Sequence, residues 1–139
     1  MLSFRGRHQD HKSLVLWATE CAEHVLPYFE ENYPEDDRPR KAIEAGRAWV
    51  CDKIPTSKAR AAAFAAHAAA RAAEDIVACA AARSAGHAAA TAHVAGHAHH
   101  AADYAVTAAE AAGVANEREW QYQRLPEHLY SIAFPTRGQ

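Results

Sequence analysis

His93, His97, His100 and Tyr104 recur at steps of four, three and four residues, which places all four on one helical face. Two or three imidazoles on such a face could bind zinc or nickel, with the Asp103 carboxylate in reach of His99 or His100. A metal-dependent hydrolase would also need a general base. In the H-E-x-x-H arrangement a Glu follows the first His, whereas here Val94 follows His93, and Gly96 loosens the helix that would hold the ligands. The competing reading is structural: buried or half-buried histidines hydrogen-bonded between closely packed helices.

A second stripe runs Arg60, Phe64, His67, Arg71 and Glu74, at steps of four, three, four and three. Arg71 can pair with Glu74 or Asp75, or reach a neighbouring helix. Together His67, Arg71, Arg83, His93 and His97 read as a polar seam that selects which helices pack together. Glu30, Glu31, Glu35, Asp36 and Asp37 form an acidic cluster. Such a cluster is usually a solvated turn; with Arg38 and Arg40 it could instead be half of a charge-complementary protein interface. No Ser/His/Asp or Cys/His pairing, Gly-rich phosphate loop or activated cysteine motif is legible. Catalysis has no positive signal.

These residues need helices to carry them. A first amphipathic helix is expected over about 12–31, with Leu14, Trp17, Cys21, Val25 and Tyr28 on one face and Pro34 as its stop. An Asp before Arg38 and Pro39 suits an N-cap for a second helix over about 38–53, which places Ile43, Gly46 and Val50 on one face. Pro55 ends that helix, and Thr56 or Ser57 can cap the next. From Ala59 to Ala112 the chain is roughly half alanine. As one helix that stretch would be ~80 Å long, beyond the diameter of a globule of this size. Breaks are expected near Glu74 and Asp75, at Ser84-Ala85-Gly86, and at Gly96. The similarity of 65–71 to 85–91 hints at a repeated unit, though alanine makes such similarity cheap. Gly113 suits a C′ position, and a short helix restarts over 116–120 before Pro126.

The expected fold is all-α: a single-domain bundle of about five to six helices over 1–139, with close-packed alanine-rich central helices, a flexible start over 1–11 and a less regular tail over 127–139. The 139 residues suffice to bury a core without disulfide or metal staples. Bulk must come from outside the alanine block: Leu14, Leu16, Trp17, Val25, Leu26, Tyr28, Phe29, Ile43, Trp49, Val50, Trp120, Leu125, Leu129, Ile132 and Phe134. Both chain ends are therefore expected to fold against the middle.

A net charge of −2 gives no basic field and argues against nucleic acid as a partner. Ten histidines make the charge pH-dependent, so acid is expected to destabilise the fold. Cys21, Cys51 and Cys79 are odd in number and form no C-x-x-C pair, which fits a reducing cytoplasm. No signal peptide is read at the start. The segment 84–102 lacks Asp, Glu, Lys and Arg, yet five histidines interrupt it, so it is not a membrane span. Small-residue faces would also allow a homo-oligomer.

The order of motifs resembles a known family. Trp17-Ala18-Thr19-Glu20-Cys21-Ala22-Glu23, Asp37-Arg38-Pro39-Arg40-Lys41-Ala42-Ile43-Glu44-Ala45, Ala66-His67-Ala68-Ala69-Ala70-Arg71, Ala81-Ala82-Arg83-Ser84-Ala85-Gly86-His87, Ala92-His93-Val94 with His97-Ala98, and Glu119-Trp120-Gln121 with Leu125-Pro126 resemble the immunity protein family of bacterial polymorphic-toxin systems, the immunity-five-like domain. The resemblance spans nearly the whole chain; the Asp37–Ala45 segment is its most specific part. It implies a small all-helical cytoplasmic protein that binds and blocks a cognate toxin, with no catalytic residues. Positions matching the family's polar motif residues are Asp37, Arg38, Arg40, Glu44, His67, Arg71, Arg83, His93 and His97. The interface is expected at Glu35, Asp36, Asp37, Arg38 and Arg40, with no cofactor. His99 and His100 fall outside the family pattern. The alternative is a His-rich metal-binding protein or metal-dependent enzyme using His93, His97, His100 and Asp103.

Overall fold

Prolines and small polar turns divide the first half of the chain, and the alanine-rich half breaks twice. The computed structural model describes residues 4–135. Its elements are α1 (Phe4–Glu30), α2 (Arg38–Val50), α3 (Thr56–Ala72), α4 (Ile76–Ala90), α5 (His97–Ala111), α6 (Glu117–Tyr122), a 3₁₀ turn (Glu127–Leu129) and α7 (Tyr130–Ala133), with no strand among the described residues. The expected all-α single domain is what the chain forms, built from five long helices and short C-terminal pieces.

Helix α1 is longer than expected. Residues 4–11, anticipated as flexible, continue it, and His11 Nε2 donates to the Thr91 carbonyl oxygen at 2.6 Å, fastening this end to the exit of α4. Residues 1–3 and 136–139, the remainder of the anticipated flexible start and irregular tail, lie outside the described residues. Helix α1 stops at Glu30, ahead of Pro34, and Asn32 Nδ2 donates to the Tyr28 carbonyl. The Tyr33 hydroxyl then accepts from the Glu74 and Asp75 amides at 3.0 and 3.4 Å, tying the α1–α2 turn to the α3–α4 break.

Two expected caps are made differently. Asp37 occupies the N-cap of α2 without a side-chain bond; Asp36 Oδ1 accepts from the Arg38 amide at 3.1 Å instead. At α3, Pro55 is the N-cap, and the Thr56 hydroxyl is taken by the Trp49 indole, whose Nε1 donates to it at 3.0 Å. The alanine-rich half breaks at Ala73–Asp75 and at 91–96, near two of the anticipated positions. Ser84-Ala85-Gly86 does not break the chain: it lies inside α4. Asp75 Oδ2 caps α4 through the Ala78 amide at 2.8 Å. Gly113, at φ +83°, closes α5 with the Val114 amide donating to Ala109 O, the pattern of a Schellman end.

Helix α4 is central, packing against α1, α2, α3 and α5. Its Ala78, Ala81, Ala85, Ala88 and Ala89 are fully buried, and so are Ala98, Ala101, Ala102 and Ala105 of α5. Such small side chains let the backbones approach. Apolar bulk comes from the flanks, as expected: Leu14, Trp17, Val25, Leu26, Phe29, Ile43 and Leu129 are buried. Leu16 and Ile132, expected in the core, are instead 41% and 40% exposed. The two ends also meet, with Trp17 Nε1 donating to Gln121 O at 3.0 Å and its ring lying edge-on to Phe134.

Candidate functional site

Three helices bring a cluster of bases together. His67 comes from α3, Arg83 and His87 from consecutive turns of α4, and His97, His100 and Tyr104 from one face of α5. The His87 ring is the hub, with centroids 4.8 Å from His67, 5.3 Å from His97, 5.0 Å from His100 and 5.4 Å from Tyr104. The Nδ1 atoms of His87 and His97 lie 3.1 Å apart, so one donates and the other accepts. Arg83 Nη1 donates to His67 Nδ1 at 3.0 Å, which fixes the His67 proton on Nε2. Room for the His67 ring exists because residue 86 is glycine: a Cβ there would lie 2.7 Å from its Cε1.

Burial and neighbouring positive charge both disfavour protonation here. Burial is the larger cause and, with Arg83, Arg71 and His97, pushes His67 from its ordinary 6.5 down to about 4. His87 is pushed to about 3 by burial, then by His67, His100, His97 and Arg83. His97 and His100 are lowered for the same leading reason. The cluster is therefore neutral imidazole at neutral pH.

The two stripes read from the sequence converge here, but with changed membership. His93 is not on the α5 face: it lies exposed in the 91–96 turn, because the helix has broken before Gly96. His87 takes the place anticipated for it, and Arg71 stands exposed at the rim. His87 was legible as the i+4 neighbour of Arg83 and as the counterpart of His67 in the 65–71 and 85–91 similarity. Asp103 is turned to other partners, Arg118 at 2.5 Å and His99 at 3.4 Å. Among the described residues, no group of three or more His, Cys, Asp or Glu side chains is arranged to hold a metal ion.

The acidic corner lies between α1 and α2. Tyr33, Pro34, Glu35, Asp36, Asp37 and Arg38 line a shallow groove there. Asp36 grips Arg38 through both oxygens, at 2.9 and 2.7 Å, and this guanidinium holds its carboxyl below the usual range. Arg40 forks onto Glu30 at 2.7 and 2.6 Å. Four of the five anticipated interface residues, Asp36, Asp37, Arg38 and Arg40, thus have internal partners, Asp37 through Lys41 at 3.4 Å. Glu35 and Asp37 are exposed, and so is Glu31.

A further surface gathers around α6. The Trp120 ring is sandwiched between the His24 imidazole, stacked at 3.7 Å, and the Arg124 guanidinium at 4.0 Å, with His24 also paired to the buried Glu117 at 2.9 Å. Grooves on either side are lined by Glu20, Glu23, Pro27 and Glu119.

The described residues define an all-α class, an alanine-centred helical bundle with an acidic corner and with polar groups spent on joining helices, and no helix among them is long and apolar enough to cross a membrane. Within that class the family is shown by sequence. A family profile described as Imm-5 like putative immunity protein matches residues 6–128, and the chain belongs to that family. Neither the curated proteins nor the solved structures contain a match to it.

Proposed function

We propose that this protein neutralises a cognate bacterial toxin in the producer's cytoplasm by stoichiometric contact and without catalysis. The observation that carries the reading is the family match over residues 6–128, which spans all five long helices. The α1–α2 corner supports a location for the contact. Asp36–Arg38 and Arg40–Glu30 are forked pairs that hold the corner's shape. Their neighbours Glu31 and Glu35 are exposed, as is Asp37, whose pair with Lys41 at 3.4 Å is itself exposed, and these acids are suited to a basic partner surface.

Co-expression with the cognate toxin tests both parts. The expected result is protection of the host and a one-to-one complex that weakens with salt. Glu35→Lys with Asp37→Lys is expected to weaken binding by roughly tenfold or more, as opposed charges become like charges. Unchanged protection by the double variant would reject the corner as interface. A folded wild-type protein that gives neither protection nor complex would reject the immunity reading.

A further inference from the structure

Most cations of this protein whose surroundings are described meet an acid. Arg38, Arg40, Arg47 and Arg118 face Asp36, Glu30, Glu23 and Asp103 at 2.7, 2.6, 2.9 and 2.5 Å, and half-buried Lys12 faces Asp52 at 3.3 Å. Arg83 is different. It is half-buried, and the partner that its guanidinium meets is an imidazole nitrogen rather than a carboxylate. In the cluster to which it belongs the charged and titratable groups are almost all bases: His67 and Arg71 from α3, His87 from its own helix, and His97 and His100 from α5, with His99 beside His100. His93 acts on His97 from the preceding turn. Asp103 acts on His100 and is paired with His99 and Arg118. Tyr104 closes the outer side with its ring parallel to His87.

A guanidinium has five N–H donors in a fork, and Arg83 spends one on His67. A half-buried cation with spare donors and no acidic counter-charge attracts an anion. Imidazoles around it add donors as they protonate. A divalent metal ion would find nitrogen lone pairs here, but also the fixed positive charge of Arg83 beside them.

We propose that the cluster formed by His67, Arg83, His87, His97 and His100 is a binding site for a small oxyanion, with Arg83 as the fork that holds it. The negative charge of the ligand offsets the mutual repulsion of the bases, so its binding and their protonation favour each other. By reciprocity the site tightens as pH falls and the imidazoles become easier to protonate when it is filled. The oxyanion is either a free dianion of the phosphate or sulfate type, or a carboxylate presented by a bound protein. The proposal stands independently of the toxin-binding reading.

The test is a sulfate titration of the untagged full chain, followed by NMR of the histidine rings, with chloride at equal ionic strength as control. Sulfate keeps its charge across the pH range used. Saturable shifts are expected for the cluster's imidazoles beyond those in chloride, while exposed His8 and His128 move equally in both salts. With one proton taken up per anion, affinity rises roughly tenfold per pH unit, over about pH 7 to 5.5. Arg83→Gln is expected to abolish saturation and Arg60→Gln to keep it. An acetate arm separates the sources: saturation by acetate as strong as by sulfate supports a protein carboxylate, and sulfate alone supports a free dianion. Equal shifts in chloride and sulfate overturn the proposal, as does saturation by zinc but by neither oxyanion. An unaltered response in Arg83→Gln also overturns it. If that variant fails to fold, the wild-type comparison of sulfate with chloride decides.

Discussion

Gly86 of α4 lies against the His67 imidazole of α3 so closely that a methyl group in place of its hydrogen would sit 2.7 Å from Cε1 and 2.8 Å from Nε2. Two opposed effects therefore meet in Gly86→Ala. Overpacking typically costs about 1–3 kcal/mol, whereas replacing a mid-helix glycine by alanine gains about 1 kcal/mol. The expected net change with His67 present is destabilisation by roughly 0–2 kcal/mol. In a His67→Ala background the clash is gone, and the same substitution is expected to stabilise by up to about 1 kcal/mol. Urea unfolding of the four proteins in the cycle measures this reversal of sign.

The depressed histidines set a pH dependence. His67 and His87 titrate near 6.5 when unfolded and at about 4 and about 3 when folded. Below about pH 6.5 the unfolded chain binds protons that the folded chain refuses, so stability present above that pH is lost progressively toward the folded values. The thermal midpoint is expected to fall between about pH 7 and pH 5, and to fall less in His87→Gln, which removes the most depressed group. A midpoint that stays flat over this range in the wild type would contradict the burial of neutral imidazole.

Two buried hydrogen bonds to adjacent carbonyls of α5 should respond differently to deletion. Gln121 is fully buried; its Nε2 donates to Ala102 O at 2.9 Å and its Oε1 accepts from Arg118 at 2.8 Å. Gln121→Ala removes both bonds and leaves a cavity beneath α6, and is expected to cost about 2–4 kcal/mol. Ser84 donates from Oγ to Ala101 O at 2.7 Å. Ser84→Ala loses that bond but improves helix propensity and leaves almost no void, so about 0–1 kcal/mol is expected. Chemical denaturation of the two variants ranks them.

At the α1–α2 corner, structural and exposed acids can be told apart. Asp36→Lys breaks the fork onto Arg38 and the bond to its amide at the start of α2, and is expected to destabilise by roughly 1–2 kcal/mol. Glu35→Lys alters an exposed side chain and should change stability by no more than about 0.5 kcal/mol. Thermal unfolding of both variants distinguishes these expectations before any binding experiment, and it identifies Glu35 as the cleaner probe of an interface.

Periodicity revealed the helices because each keeps its apolar or polar face at steps of three and four: Leu14, Trp17, Cys21 and Val25 in α1 are all buried as that spacing requires. It did not reveal where an alanine run bends. Ser84 and Gly86 look like breakers in sequence, yet in α4 they are the residues that permit contact, one bonding to α5 and the other admitting a histidine from α3. The break at 91–96 carried His93 off the face on which its spacing had placed it, and His87 entered from another helix. Within a helix, residue spacing reports one face; which faces meet depends on the breaks and on packing between elements.

The alanine seam through α4 and α5 has a thermal consequence. Burying a methyl removes little apolar surface from water, and alanine has no side-chain rotamers to lose. The heat capacity of unfolding scales with the apolar surface newly hydrated and is about 12–15 cal/mol/K per residue in ordinary domains. This chain is expected to fall at or below the lower end of that range in calorimetry. Its stability curve would then be shallow, with modest stability held over a broad span of temperature, including the cold side where richer hydrophobic cores weaken.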